Sequence, residues 1–342
     1  MAVRREKTTG KGPDPVDLTI ADVTLREYGQ NIPPQALPIF TPEIRVEIAL
    51  KLIEAGFTNL EVISCVHPRV APAMDRKAIE TIAKGIGRQD NVHIITLVPN
   101  GAGYENFLAL DLGPEGFNHT MGIFFSAVEA HNRANLGRSI QETVSEYKGV
   151  MKNAMGRNIR VVATLSAAFG YRESGHRGLT REEPRKINDY ITGLFDMGAV
   201  TVGLSDLQGV AGEGETRNLL ETILELRKGA AKEKLVYHPH HVSDMQALAN
   251  SRVAFGLGIR RFDASLGGTG GCVTGAPGNQ PTEGLVRLFH AQGVETGLDQ
   301  KKVFGLAKMV RKELYEKIPL TQSPPLPLPK SPALPPCNHG DG

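Results

Sequence analysis

The 342-residue chain has no tryptophan, few aromatics (6%) and only three cysteines. Cys65, Cys272 and Cys337 are an odd, scattered set. That excludes a disulfide framework and fits a reducing, cytoplasmic setting. No apolar run reaches the roughly 18 residues that a membrane helix needs, so no membrane span is expected. An excess of either charge is also missing. Lys and Arg number 39 against 37 Asp and Glu, a net +2. This balance gives no argument for nucleic acid or an anionic membrane as a partner. The basic start, residues 1–7, has no apolar segment after it and is not expected to act as a secretory signal.

What remains is an ordinary globular composition, 40% hydrophobic and 22% charged. Residues 1–16 are polar, with Gly10, Gly12, Pro13 and Pro15, and read as a flexible leader. Residues 318–342 contain eight prolines. They predict a Pro-rich, disordered tail without stable helix or strand. Between these ends, 17–317 reads as one domain. Strand-like runs lie at 18–25, 59–64, 92–97, 120–125, 159–165, 200–205, 235–240 and 261–265. Helical patterns separate most of them. They lie near 71–86, 139–153, 180–197, 215–228, 243–257 and 282–292, with a weaker one at 104–110. Thr41-Pro42-Glu43 opens the first helix with a capping residue and a proline at the first helical position. Eight strands alternating with helices predict a parallel sheet. Eight units in about 280 residues suit a closed (β/α)₈ TIM barrel better than an open doubly wound sheet.

In such a barrel the chemistry sits at the C-terminal ends of the strands. The first predicted strand ends in Arg26-Glu27, the second contains Glu61 and runs into Cys65, and the sixth ends in Asp206. The seventh ends in His238-Pro239-His240, and the eighth runs into a glycine-rich stretch ending in Cys272. Side chains alternate faces along a strand, so His238 and His240 point the same way. With Glu27 they form a nitrogen and oxygen set able to hold Mg²⁺, Mn²⁺, Co²⁺ or Zn²⁺ with coordination positions left open. Arg26 could stabilise an enolate or hold a carboxylate. Bland readings stand beside these. Asp206 could cap the next helix, and Glu61 could simply pair with Arg26. Asn279 could be a turn residue, and Cys272 a small buried hydrophobe. Cys65 reads as core, and Cys337 as exposed and incidental.

Asp22-Val23-Thr24-Leu25-Arg26-Glu27 resembles the first-strand signature of the DRE-TIM metallolyases, and His238-Pro239-His240 resembles their His-x-His. Within that superfamily the chain resembles the 3-hydroxy-3-methylglutaryl-CoA lyases. The features are Gln30-Asn31, the Gln246–Asn250 run, the Leu266–Cys272 glycine-rich loop, and Gly278-Asn279. The resemblance implies that Glu27, His238, His240 and Asn279 ligate a divalent cation, most simply Mg²⁺ or Mn²⁺. It implies that Arg26 stabilises an enolate and Cys272 is a catalytic thiol on a mobile loop. Asp206 and Glu61 match active-site carboxylates of the lyases. It also suggests a homodimer.

Three departures stand out. The lyases usually carry aspartate where Glu27 stands, and glycine where Tyr28 stands, so the bulk of Tyr28 could reshape the pocket. One residue is inserted after the histidines, and an ungapped count back from Asn250 pairs His241 with the second ligand and puts Pro239 in the first ligand's place. The loop from Cys272 to Gly278 is about two residues short of the lyase pattern. The implied reaction is retro-Claisen cleavage of a 3-hydroxy-3-substituted acyl-CoA to acetyl-CoA and a keto product, with Asp206 or a histidine as base. Alternatives are a synthase condensing an acyl-CoA with a 2-keto acid (homocitrate or isopropylmalate synthase-like) and a 4-hydroxy-2-keto acid aldolase.

Overall fold

Apolar side chains recur at every second position along most of the predicted strands, and the structure shows what that period serves. The structure is a computed structural model that describes residues 18–110, 119–173, 178–271 and 277–318. The flexible leader, the Pro-rich tail beyond Ile318, and Cys272 lie outside the described residues. Eight parallel strands close a barrel in chain order. They are β1 (Thr19–Asp22), β2 (Asn59–Ser64), β3 (His93–Leu97), β4 (His119–Ser126), β5 (Arg160–Ser166), β6 (Thr201–Asp206), β7 (Leu235–Pro239) and β8 (Arg261–Ala264). The seam closes from Thr19 opposite Arg261 to Asp22 opposite Ala264. The (β/α)₈ barrel predicted from the sequence is therefore the fold. Among the described residues no helix is long and apolar enough to cross a membrane.

The helices are α1 (Thr24–Gln30), α2 (Pro42–Glu54), α3 (Arg76–Ile86), α4 (Gly101–Leu108), α5 (Glu129–Leu136), α6 (Ile140–Gly156), α7 (Pro184–Asp196), α8 (Glu213–Leu226), α9 (Asp244–Gly256), α10 (Thr282–His290) and α11 (Gln300–Val310). A π-helical turn, Arg311–Tyr315, continues α11. Thr41 caps α2 as expected, its side chain accepting from the Ile44 N–H with Pro42 next in line. Helix α5 carries no readable stripe, whereas α11 does, through Val303, Leu306, Ala307 and Val310. The buried residues of α5 are His131 and Asn132, so it lacks the apolar periodicity that marks a helix in sequence. Helix α11 follows the eighth unit and is tied back to the end of α2 by Lys302 Nζ and Glu54 Oε1, 2.8 Å apart.

One expectation fails at the first strand. β1 stops at Asp22, and Arg26 and Glu27 stand on α1 rather than at a strand end. The reason is local: Asp22 Oδ1 accepts from the Thr24 N–H at 3.0 Å, turning the chain directly into a helix.

The barrel divides its side chains sharply. Outward residues such as Ile20, Leu60, Val62, Met121, Val161, Leu204, Tyr237 and Phe262 form the apolar core against the helices. Inward residues include Thr19, Ala21, Asn59, Glu61, Gly122, Thr164, Thr201, Gly203 and Ser205, which are small or polar. A barrel interior is ordinarily filled by bulky branched side chains. Here branched residues such as Ile95, Val162 and Val236 share the interior with these smaller ones, leaving a cavity of about 120 Å³ whose lining runs from the starts of the strands to their C-terminal ends.

Candidate active site and metal centre

His238 on β7 and His240, the first residue past its end, carry the centre. His238 Nε2 and His240 Nε2 lie 3.1 Å apart. Their other nitrogens are each spoken for. His238 Nδ1 lies 2.9 Å from Asp263 Oδ2, and His240 Nδ1 lies 2.7 Å from the Pro277 carbonyl oxygen. A carboxylate and a carbonyl only accept, so each Nδ1 carries the hydrogen and each Nε2 is left with a lone pair. Two lone pairs this close repel unless a proton or a cation lies between them. Two ligand nitrogens about 2.1 Å from one ion are about 3.0–3.4 Å apart at octahedral or tetrahedral angles, and the observed gap falls in that range.

Glu27 supplies the third group. The ligating atoms of Glu27, His238 and His240 all lie within 4.8 Å of one another, and all three residues are buried. Burial by itself would raise the Glu27 pKa. The Arg26 guanidinium, followed by the two imidazoles, outweighs that and holds the carboxyl below its ordinary range. Burial, reinforced by the neighbouring His238, pushes His240 down to about 3. For His238 burial is outweighed by the Asp263 hydrogen bond and charge, which raise its pKa. Carboxylate and neutral imidazole are the forms that donate electron pairs to a metal.

Asn279 stands next to His240, across the glycine-rich loop from Glu27. It bridges to His240, and its Nδ2 donates to the Thr269 carbonyl at 3.2 Å. Its Oδ1 is buried without any hydrogen-bond partner, a costly state for an amide oxygen unless something electropositive belongs there. Gly270, at φ +97°, shows how close the packing is. A Cβ there would lie 2.6 Å from Glu27 Cβ and 2.9 Å from Asn279 Nδ2, so the loop can pass between these two residues only as glycine. Gly271 N–H donates to Glu27 Oε2 at 3.3 Å. Asn31, next after α1, fastens this loop by donating to the Gly271 carbonyl at 2.7 Å. The donor set, with its orphaned oxygen and facing lone pairs, fits a divalent cation.

Arg26 lies against Glu27. Its Nη2 is 2.6 Å from Glu27 Oε1 and 2.6 Å from Glu61 Oε2, and its Nη1 donates to Gln30 Oε1 at 3.2 Å. Burial would lower the Arg26 pKa, but Glu27 and Glu61 more than reverse that and raise it. On Glu61, burial prevails over Arg26 and the carboxyl is raised. The sequence alternative of a Glu61–Arg26 pair is thus realised within the cavity wall.

The remaining sequence readings divide. His241 leaves the pair: its Nε2 faces the Gly268 carbonyl at 3.3 Å, so the same-face pair is His238 with His240. Asp206 does not cap the next helix, since α8 has Gly212 at its N-cap; its carboxylate holds the turn before that helix. Its Oδ1 and Oδ2 accept from the Val210 and Ala211 N–H groups at 2.9 and 3.0 Å. It does not line the cavity, whereas its neighbours Ser205 and Leu207 do, as strand alternation requires. Burial raises its pKa to about 6. Cys65 is buried in the core as read. Tyr28 corrects an expectation, for it turns away from the pocket. Its ring packs on Phe40 and Tyr315, and its hydroxyl donates to the Ile318 carbonyl at 3.0 Å. Asp263 was missed. Its signal was an acid in an otherwise short strand, on the inward parity of β8, but nothing local says that it meets His238.

The HMGL-like family matches residues 17–310. The chain is 32% identical over 300 residues to the hydroxymethylglutaryl-CoA lyase YngG of Bacillus subtilis, covering 87% of this chain and 95% of that one. It is 31% identical over 312 residues to the (R)-citramalyl-CoA lyase of Chloroflexus aurantiacus, covering 88% and 92%. Among solved structures, the HMG-CoA lyase of B. subtilis superposes with a TM-score of 0.77 at 30% identity, covering 90% of this chain and 97% of that one.

Proposed function

The chain belongs to the HMGL-like family and is a carbon–carbon lyase, and from that premise we propose that it cleaves a 3-hydroxy-3-substituted acyl-CoA by a metal-assisted retro-Claisen reaction. The observation that carries this reading is the pair of Nε2 lone pairs 3.1 Å apart with the Glu27 carboxylate beside them; the unpartnered Oδ1 of Asn279, the residue bridged to His240, supports it. We assign Glu27, His238, His240 and Asn279 to a single Mg²⁺ or Mn²⁺. When bound, such an ion supplies Lewis-acid polarisation of the substrate hydroxyl and a neighbouring oxygen, lowering the pKa of that hydroxyl.

The protein groups then act as follows. The hydroxyl proton passes to a histidine acting as base, the C2–C3 bond breaks, C3 becomes the carbonyl of the ketone or keto acid, and the electron pair passes to the thioester enolate. Arg26, a permanent cation held by two carboxylates, stabilises that developing charge. Glu61 fixes the guanidinium, and Asp263 holds the His238 ring with its Nε2 turned inward. Cys272 returns the proton to the enolate carbon to give acetyl-CoA, a step suited to a thiol of pKa near 8.5. Asp206, with both oxygens engaged by backbone N–H groups, supports the turn after β6 instead of serving as the base. The sparse thiols favour a reducing, cytoplasmic setting.

The test is direct. The purified protein with Mg²⁺ or Mn²⁺ is given 3-hydroxy-3-methylglutaryl-CoA and citramalyl-CoA in turn, and acetyl-CoA release is followed. Cleavage of one of them, abolished by a chelator and reduced in Cys272→Ser, is expected. Failure to cleave any thioester, together with condensation of acetyl-CoA onto a 2-keto acid, would sink the lyase reading in favour of a synthase.

A further inference from the structure

The cavity that holds the metal centre at one end of the barrel has a second end, and its chemistry is of the opposite sign. At the starts of the strands it is lined by Thr19 of β1, Asn59 of β2, Arg160 of β5, Thr201 of β6 and Arg261 of β8. His93 opens β3 on the same parity as Ile95, which also lines the cavity. Thr19 and Arg261 are register neighbours, as are Asn59 and His93. Two guanidiniums and an imidazole therefore converge from three strands onto one ring of hydroxyl and amide groups.

Among the described residues no carboxylate is hydrogen-bonded or ion-paired to the guanidinium of Arg160 or Arg261. Arg261 donates Nε to the Glu233 backbone carbonyl at 2.8 Å, and Arg160 Nε is buried with no hydrogen-bond partner. The acids of the cavity wall, Glu61 and Asp263, lie further along the strands and are engaged by Arg26 and His238. The charges at this end consequently act on each other. Burial and then Arg261 hold the Arg160 guanidinium below its ordinary range. Burial, Arg160 and Arg261 do the same to His93. Like charges gathered in a half-buried pocket repel one another, and with an unused buried donor among them they favour the arrival of an anion. Guanidinium forks and hydroxyl donors match the tetrahedral oxygens of a phosphate or sulfate.

We propose that the N-terminal end of the barrel is a binding site for a small oxyanion of the phosphate class, built by Arg160 and Arg261 with His93, Thr19, Asn59 and Thr201 around them. It is separate from the metal centre and independent of the reaction assigned there. The oxyanion is either inorganic phosphate or the terminal phosphate of a small monoester, since the pocket wall offers the same donors to both.

The experiment is thermal unfolding of the full chain at pH 7.5 and constant ionic strength, titrated with phosphate, sulfate, glycerol phosphate or chloride. Saturating CoA is present throughout, to occupy any phosphate subsite at the other face. Phosphate and sulfate should raise the midpoint saturably, by about 2 °C at tenfold over Kd, and chloride should not. Glycerol phosphate acting like phosphate identifies a monoester site; glycerol phosphate without effect identifies an inorganic one, and either result supports the proposal. Arg261→Gln should weaken the phosphate response at least tenfold and leave the phosphate-free midpoint equal or higher, because it removes repulsion. A merely structural Arg261 would do the reverse. If that variant does not fold, His93→Gln and calorimetric titration of the wild-type chain with phosphate replace it. The absence of any oxyanion-specific shift in the wild type, or an undiminished shift in the folded variant, would overturn the proposal.

Discussion

The two ends of the barrel cavity use the same strands to opposite effect. On β8, Arg261 faces the N-terminal end, and Asp263, two residues on and on the same side of the strand, faces the C-terminal end. Two residues of strand are only about 7 Å, so the sign of the wall reverses within one side-chain layer. At the C-terminal end each formal charge has its partner. Arg26 meets Glu27 and Glu61, and the His238 ring meets Asp263. What is left over there is mainly electron pairs, on two Nε2 atoms and on Asn279 Oδ1, together with one donor, Arg26 Nε. At the N-terminal end the donors are left over, on Arg160 most plainly. A surplus of lone pairs calls for a cation and a surplus of N–H groups for an anion. Charge alone does not mark a site; unmatched hydrogen-bonding capacity does.

Three perturbations break or sharpen this contrast, in decreasing order of effect. Removing an imidazole strikes the cation end at its root. His238→Ala and His240→Ala should each abolish bound metal and lower kcat/KM by about 10³-fold or more. Metal analysis of the dialysed protein together with the thioester assay reads both. A variant that kept full metal content would show that the paired lone pairs do not hold the ion.

Asp263→Asn tests the outer support. The amide can still accept from His238 Nδ1–H but has lost its charge, so the ring keeps its orientation with a less basic Nε2. A fall of about 10–100-fold in metal affinity is expected, measured by competition with a chromogenic chelator, with the fold intact by circular dichroism. An unchanged affinity would reduce Asp263 to a structural contact.

The mildest change belongs to the basic end. His93 has its pKa held down by burial, then by Arg160 and Arg261. The folded ring therefore binds fewer protons than the unfolded one. Its contribution to stability is present above the unfolded value of about 6.5 and is lost as pH falls through its lower folded value. Arg261→Gln should move the His93 titration, followed by NMR, back toward the ordinary value. It should also soften the loss of denaturant stability between pH 7.5 and pH 5. Phosphate should act on the wild type in the same direction. A His93 midpoint indifferent to both would mean that the arginines are screened from it by solvent.

Much of this molecule was legible along the chain. Strand runs such as 59–64 were readable because burial behind them is nearly continuous. The capping Thr41-Pro42 was readable because the signal is three residues long. Helix α5 was not, because it buries a histidine and an asparagine in place of an apolar stripe. The end of β1 was misjudged because one side-chain bond, from Asp22, converts an apparent strand end into a helix start. Asp206 matched a catalytic pattern, yet its parity on β6 turns it away from the cavity toward the backbone of the following turn. The position of Tyr28 beside Glu27 suggested a role in the pocket, but on α1 the adjacent residue faces elsewhere, here toward Tyr315 and Ile318.

The sequence by itself determined the (β/α)₈ barrel, the end of it that bears the chemistry, and the same-face histidine pair. Those follow from alternation, spacing and strand-end position, which are local. Tertiary structure alone decided that Arg26 reaches Glu61, that Asp263 backs His238, and that Asn279 arrives beside His240 with its oxygen unpaired. It also decided that arginines from β5 and β8 line the same cavity close enough to act on each other's charge. Each of these joins residues far apart in the chain, and their meeting depends on the closure of eight strands into a ring, which fixes side chains of distant strands in one layer.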